Sequence, residues 1–204
     1  SHFDIKLLPP DLNKSDIDFK IEGKDIRYGL NSIKGVSDKV LQALLEFRED
    51  SFDNKYEVFL SAKQAGLNIG TLSALIQAGL LDSFVSSNRC RLVLEAQTFN
   101  ILTDREKRNF VELGEKYNYD ILAAVHESFK TEAVGDDNRK LFTDKRFSTF
   151  RKKYDPYKNI YEMNKTHIKY ANWFFEEKLL GYSYSYNVRQ VFNHEDDFHS
   201  SEAI

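Results

Sequence analysis

The sequence predicts a mainly α-helical fold: a helical domain with one or more helix-hairpin-helix motifs, and one small β-hairpin at its N-terminal end. Three observations predict it. Apolar residues recur at three- and four-residue spacing from Ser37 to about residue 180. Period-two alternation is confined to the stretch Phe19–Tyr28. Glycine and threonine punctuate the helical stretches at positions suited to stops and caps.

The elements follow in order. Residues 3–16 form an extended lead-in, because Pro9 and Pro10 remove two amide donors and bias Leu8 away from helix. In "DFKIEGKDIRYGL", Phe19, Ile21, Ile26 and Tyr28 alternate with polar residues around Glu22–Gly23–Lys24–Asp25, a β-hairpin pattern. At Ser37 the period becomes helical: Ser37 caps, Asp38 favours the positive helix start, and Val40, Leu41, Leu44, Leu45 and Phe47 share a face. Further helices are expected at roughly 55–65, 71–79, 87–101, 104–117, 118–129, 144–154 and 165–180, with Gly66 and Gly79 as stops and Thr103 and Thr166 as N-caps. "KTEAVGDDNRKLF", 130–142, has neither period and is expected to be a loop. The resulting division is 1–36 (extended segment and hairpin), 37–129 (helical domain), 130–143 (loop), 144–188 (basic helical segment) and 189–204 (acidic tail).

Composition narrows the function classes. An apolar content of 41% can fill a core, and no apolar run approaches the roughly 18 residues of a membrane span, so no membrane partner is expected. One cysteine, Cys90, excludes an internal disulfide and fits a reducing, cytoplasmic setting. The opening Ser1–His2, without a methionine, suggests that residue 1 is not the natural start. No catalytic residue and no metal site is expected. The histidines of "HEDDFH", 194–199, are five apart, off the shared face of an i, i+4 pair, and that segment reads as a solvated tail. Arg89 and Arg91 flank Cys90 and would lower its pKa, but no base accompanies it.

Net charge is −3, yet charge is segregated: residues 139–169 carry ten basic and three acidic side chains, while the end of the chain is acidic. "IKGVS", 33–37, leads straight into a helix. A hairpin between two helices exposes consecutive backbone N–H groups at the positive helix start, where a DNA phosphate binds without its bases being read. Gly35 allows close approach, Ile33 and Val36 pin the turn, and Lys34 and Lys39 add charge; Ser37 stands where a second glycine is usual. The candidate DNA-binding residues are therefore Lys34, Gly35, Val36, Ser37 and Lys39. A second turn, Asn68–Ile69–Gly70, resembles a degenerate partner hairpin, for which packing is the simpler role.

Several ordered motifs resemble the bacterial replicative DNA polymerase III alpha subunit, where the fingers end and the clamp-binding domain begins. They are Pro-Pro-Asp-x-Asn-x-Ser at 9–15, Gly-Leu-x-x-Ile-Lys-Gly-Val at 29–36, "LSALIQAGLLDSF" at 72–84 and "NRCRLVLEA" at 88–96. "EEKLLGYSYSYNV", 176–188, is similar to the family's stretch before its OB-fold, without the terminal Gly-His-Pro. The resemblance is good over 3–96, absent over 97–170 and partial afterwards, a divergence that suits a phage source. It implies a non-catalytic piece that holds duplex DNA without sequence preference, beside the rest of the polymerase. The family's Mg²⁺-binding palm carboxylates have no counterpart here, so no cofactor is expected and the chain alone should not make DNA. The alternative is a replisome adaptor whose hairpins are purely structural.

The resemblance also implies a sliding clamp as partner. In the family a short Gln-x-x-Leu/Met-Phe-like peptide plugs into it, and "NRKLF" offers Asn138, Leu141 and Phe142 in the corresponding interval, with asparagine for glutamine. The plainer reading has Leu141 and Phe142 anchoring the loop. Finally, Phe147, Phe150, Tyr154, Tyr157 and Tyr161, interleaved with basic residues, have the ingredients of single-strand binding, but their spacing of three and four favours a helical core face, which leaves Arg151, Lys152 and Lys153 outside as auxiliary contacts to DNA phosphates.

Overall fold

The computed structural model describes residues 4–85, 88–130 and 142–192. Strands β1 (Leu7–Leu8), β2 (Lys20–Glu22) and β3 (Asp25–Arg27) form a sheet of order β1-β3-β2. β2 and β3 are the expected antiparallel hairpin. The lead-in adds a third strand, because β3 leaves one edge unpaired and β1 fills it in parallel, Ile26 N–H donating to the Lys6 carbonyl and Tyr28 N–H to that of Leu8. Pro9, with no donor to continue the ladder, ends that strand.

The helices are α1 (Asp38–Arg48), α2 (Lys55–Gln64), α3 (Ile69–Gln77), α4 (Arg89–Ile101), α5 (Asp104–Glu112), α6 (Ile121–Lys130), α7 (Asp144–Asn164), α8 (Ile168–Leu180) and α9 (Val188–Phe192). The fold is thus mainly α with a small N-terminal sheet. Gly66 and Gly79 sit just past the ends of α2 and α3 at positive φ. There Leu67 N–H reaches the Ala62 carbonyl and Leu80 N–H that of Leu75, so each glycine closes its helix by returning the chain onto the last turn. Thr103 caps α5 in a reciprocal box with Glu106.

Four boundaries differ from the sequence reading. α5 stops at Glu112, and α6 begins at Ile121, after Asn118 and Tyr119 have turned through positive φ and Asp120 has accepted from the Leu122 and Ala123 amides. α7 runs ten residues past 154, straight through Pro156, which lies on an exposed face where one lost backbone bond is tolerable. The N-cap of α8 is His167, not Thr166, whose hydroxyl meets His167 Nδ1 instead of the helix amides. α9 was not expected at all.

One hydrophobic cluster runs from Leu12 to Leu180, with Phe47, Tyr56, Phe110 and Phe150 fully enclosed. Each such side chain contributes about 1.5–3 kcal/mol on burial. Helix α4 is the hub, packing against α3, α6, α7 and α8. Phe150 and Tyr154 of α7 enter this core, with Phe147 and Tyr161 packed against it, whereas Tyr157 is 41% exposed. The aromatic stripe is therefore core over most of its length and surface at its fourth position.

Candidate nucleic-acid interface

Only a single 3-10 turn, Leu30–Ser32, precedes the first hairpin, in place of a full helix. The chain at 16–18 crowds against it: Asp16 and Ile17 carbonyls accept from the Leu30 and Asn31 amides, and any side chain at Gly29 would overlap the backbone of 17–19. Ile33 is buried and Val36 packs on the core, so the turn is pinned as expected. Gly35 sits at φ +92°, with nothing near the place a Cβ would occupy. Ser37 is the N-cap of α1 and accepts from Val40 N–H at 3.4 Å.

The amides divide into two groups. Val36 N–H closes the turn on the Ile33 carbonyl, and Lys34 N–H donates to the Leu179 carbonyl at 2.8 Å, so neither is available to a phosphate. Those of Gly35, Ser37, Asp38 and Lys39 have no acceptor among the described residues. Lys34 and Lys39 extend into solvent, and so does Asp38.

The second turn repeats this geometry 31 positions later. Gly66 also has φ +92°, Leu67 is buried where Val36 packs, and Asn68 caps α3 by accepting from Thr71 N–H at 2.9 Å. Leu72 and Leu75 fall where Leu41 and Leu44 lie, all four buried. Asn68, Ile69 and Gly70 present the equivalent amides, without acceptors among the described residues. The two hairpins share the glycine conformation, the capped helix start and helix-start amides without acceptors among the described residues, but they close differently. Val36 N–H meets the Ile33 carbonyl, whereas Gly66 and Leu67 N–H meet those of Lys63 and Ala62, and a full helix, α2, precedes the second.

The other candidates are arranged differently. Arg151 pairs with Asp155 on its own helix and lies 5.7 Å from the Phe129 ring centroid. Lys152 and Lys153 are exposed, with no ion pair among the described residues. Asn138 and Leu141 lie outside the described residues. Phe142 is 7% exposed, its ring 4.6 Å from Phe150 and 6.0 Å from Phe110. That burial is the anchoring alternative, not a ring free to fill a partner's pocket. The tail 193–204, with its two histidines, is also outside the described residues. Burial pushes the Cys90 thiol up, outweighing the downward pull of the neighbouring Arg89 charge.

That use of Arg89 is what the sequence reading missed. Its guanidinium, 7% exposed, binds Asp82 at 2.6 Å, Glu176 at 2.7 Å and the Tyr184 hydroxyl at 2.7 Å. The Glu176 carboxylate, fully buried, also accepts from the Tyr184 and Ser185 amides and from the Ser183 and Ser185 hydroxyls. Burial would raise its pKa, but the Ser185, Arg89 and Ser183 bonds outweigh that and hold it below the usual carboxylate range. Tyr28 completes the tie, its hydroxyl reaching the Leu180 carbonyl at 2.9 Å. The end of α8 is thereby fastened beneath the first hairpin. Little in the sequence signals it, because Glu176 is followed by Glu177 and Lys178 in "FFEEKLL", as on any polar helix face.

A family model described as "Helix-hairpin-helix motif" matches residues 4–92. DNA polymerase III subunit alpha of Thermus aquaticus is 36% identical over 91 residues, 44% of this chain and 7% of that protein. The same subunit of Aquifex aeolicus is 36% identical over 94 residues, 45% and 8% of the two chains, and that of Bacillus subtilis 31% over 90, 44% and 8%. The chain spans less than a tenth of the length of these curated relatives. The segment 4–92, with both hairpins, is thus similar to the helix-hairpin-helix family and to a stretch of DNA polymerase III alpha subunits.

Proposed function

We propose that this chain is a non-catalytic module of a replicative DNA polymerase that grips duplex DNA through its hairpins without reading sequence. The observation that carries the reading is the repeated turn: a glycine at φ +92°, an apolar pin, a capped helix start and a row of amides with no acceptor among the described residues. Such amides, at the positive end of α1 and of α3, suit phosphate oxygens. Lys34 and Lys39 add charge at the first site, and Lys152 and Lys153 supply a further solvent-facing contact. Polymerisation is assigned to the carboxylates of a palm that this chain does not resemble, and the chain alone should incorporate no nucleotide.

The test is duplex DNA binding across a salt series. Wild type should bind with Kd on the order of 10⁻⁴–10⁻⁶ M, and log affinity should fall by about 0.9 per phosphate contacted. Lys34→Ala with Lys39→Ala should reduce that slope by about 1.8 while leaving the fold intact. Lys34→Ala with Gly35→Pro, which breaks the turn, should remove the hairpin contribution. An absence of duplex binding by the wild type would sink the reading and leave a replisome adaptor with structural hairpins.

A further inference from the structure

A cavity of about 420 Å³ opens between α7, α8 and α4, far along the chain from the hairpins. Tyr157 and Tyr161 line it from α7, and Tyr170 and Phe174 from α8. Among the described residues nine aromatic rings are buried in the core, but Tyr157, Tyr170 and Phe174 are 41%, 44% and 41% exposed. Asn164 and His167 stand among these rings with both donor and acceptor capacity.

The charge around the groove is one-sided. On α7, Asp155 is neutralised by Arg151 and Glu162 by Lys165. On α8, Glu176 is buried in its network and Glu177 accepts from the Ser183 amide. Lys153 stands one turn before Tyr157 on α7 and Lys169 directly precedes Tyr170 on α8; both are exposed and have no ion pair among the described residues. Half-exposed rings on two helices, with Tyr170 and Phe174 already stacked 6.2 Å apart, amide and imidazole groups between them and these two lysines flanking them match unpaired bases on a phosphate backbone.

We propose that this groove binds single-stranded DNA by stacking bases on the α7 and α8 rings. A duplex cannot use it, because paired bases have no free faces to offer. A peptide would need its own acidic residues to answer the lysines. The inference rests on the groove alone and stands or falls separately from the hairpins.

Trp173 is the only tryptophan and its ring lies 5.9 Å from Tyr170, so its fluorescence reports on the groove. The whole chain is titrated with a dT12 oligonucleotide and, separately, with a duplex. Quenching by dT12 is expected, with affinity about tenfold or more weaker in Tyr157→Ser with Tyr170→Ser. Tyr157→Phe with Tyr170→Phe, which keeps both rings, should bind like wild type. Lys34→Ala with Lys39→Ala should weaken duplex binding and leave dT12 quenching unchanged. Binding of dT12 that is indifferent to the serine pair, or lost equally in the phenylalanine pair, overturns the proposal. So does quenching by an acidic amphipathic peptide but not by dT12, which would make the groove a protein-docking site.

Discussion

Gly66 and Gly79 show how differently two helix-stop glycines can be constrained. Both have positive φ, but a methyl group at Gly66 meets open space, whereas at Gly79 it would overlap the Tyr184 hydroxyl and the Arg89 guanidinium. Gly66→Ala should therefore cost only the left-handed strain, about 1–2 kcal/mol. Gly79→Ala should cost about 3 kcal/mol or more, since strain and overpacking of a buried ion network add. Urea denaturation midpoints of the two variants check this. A second residue-scale test concerns Asp38. It favours the positive end of α1 but repels a phosphate at the same amides. Asp38→Asn should tighten duplex binding severalfold while slightly weakening the helix, and an unchanged or lower affinity would speak against phosphate binding at that turn.

At the scale of elements, the hairpins and α7 were legible to different degrees. Gly35, Val36 and Ser37 could be read as a phosphate turn because every requirement is local: a glycine, an apolar pin, a cap. The equivalence of Gly66–Gly70 was harder to see, because Asn68 replaces Ser37 and Gly70 replaces Lys39, and likeness of backbone survives such exchanges. For α7, the expected end at 154 was too early: the helix runs on through Pro156, because packing against α4 outweighs the loss of one hydrogen bond on an exposed face. The start of α7 also bears on the clamp reading. Phe142 sits on Phe150, so Phe142→Ala should destabilise the fold by about 3 kcal/mol, visible in thermal unfolding. Binding to a cognate clamp that survives Leu141→Ala with Phe142→Ala would exclude a clamp contact through this segment.

Across the whole molecule, the Arg89–Glu176 network joins the matched segment 4–92 to the chain's C-terminal part, and it is sensitive to pH. The Glu176 pKa is depressed in the folded state, so its contribution to stability is full above the ordinary carboxylate pKa and is lost as pH falls through the lower, folded value. Denaturant midpoints should accordingly fall on the acid side. Glu176→Gln should be less stable than wild type at pH 7 and show a shallower acid decline; equal slopes would remove Glu176 as the source. The helical class, the β2–β3 hairpin, the glycine turn before α1 and most of the aromatic core face were legible in the sequence, because each is written in spacing over a few residues. Only the tertiary structure decided the third strand, the taking of the Lys34 amide by Leu179, the burial of Phe142 and the partners of Arg89. Those depend on groups up to 152 positions apart, as Tyr28 and Leu180 are. Local periodicity carries no information about which distant carbonyl or carboxylate will satisfy a buried donor.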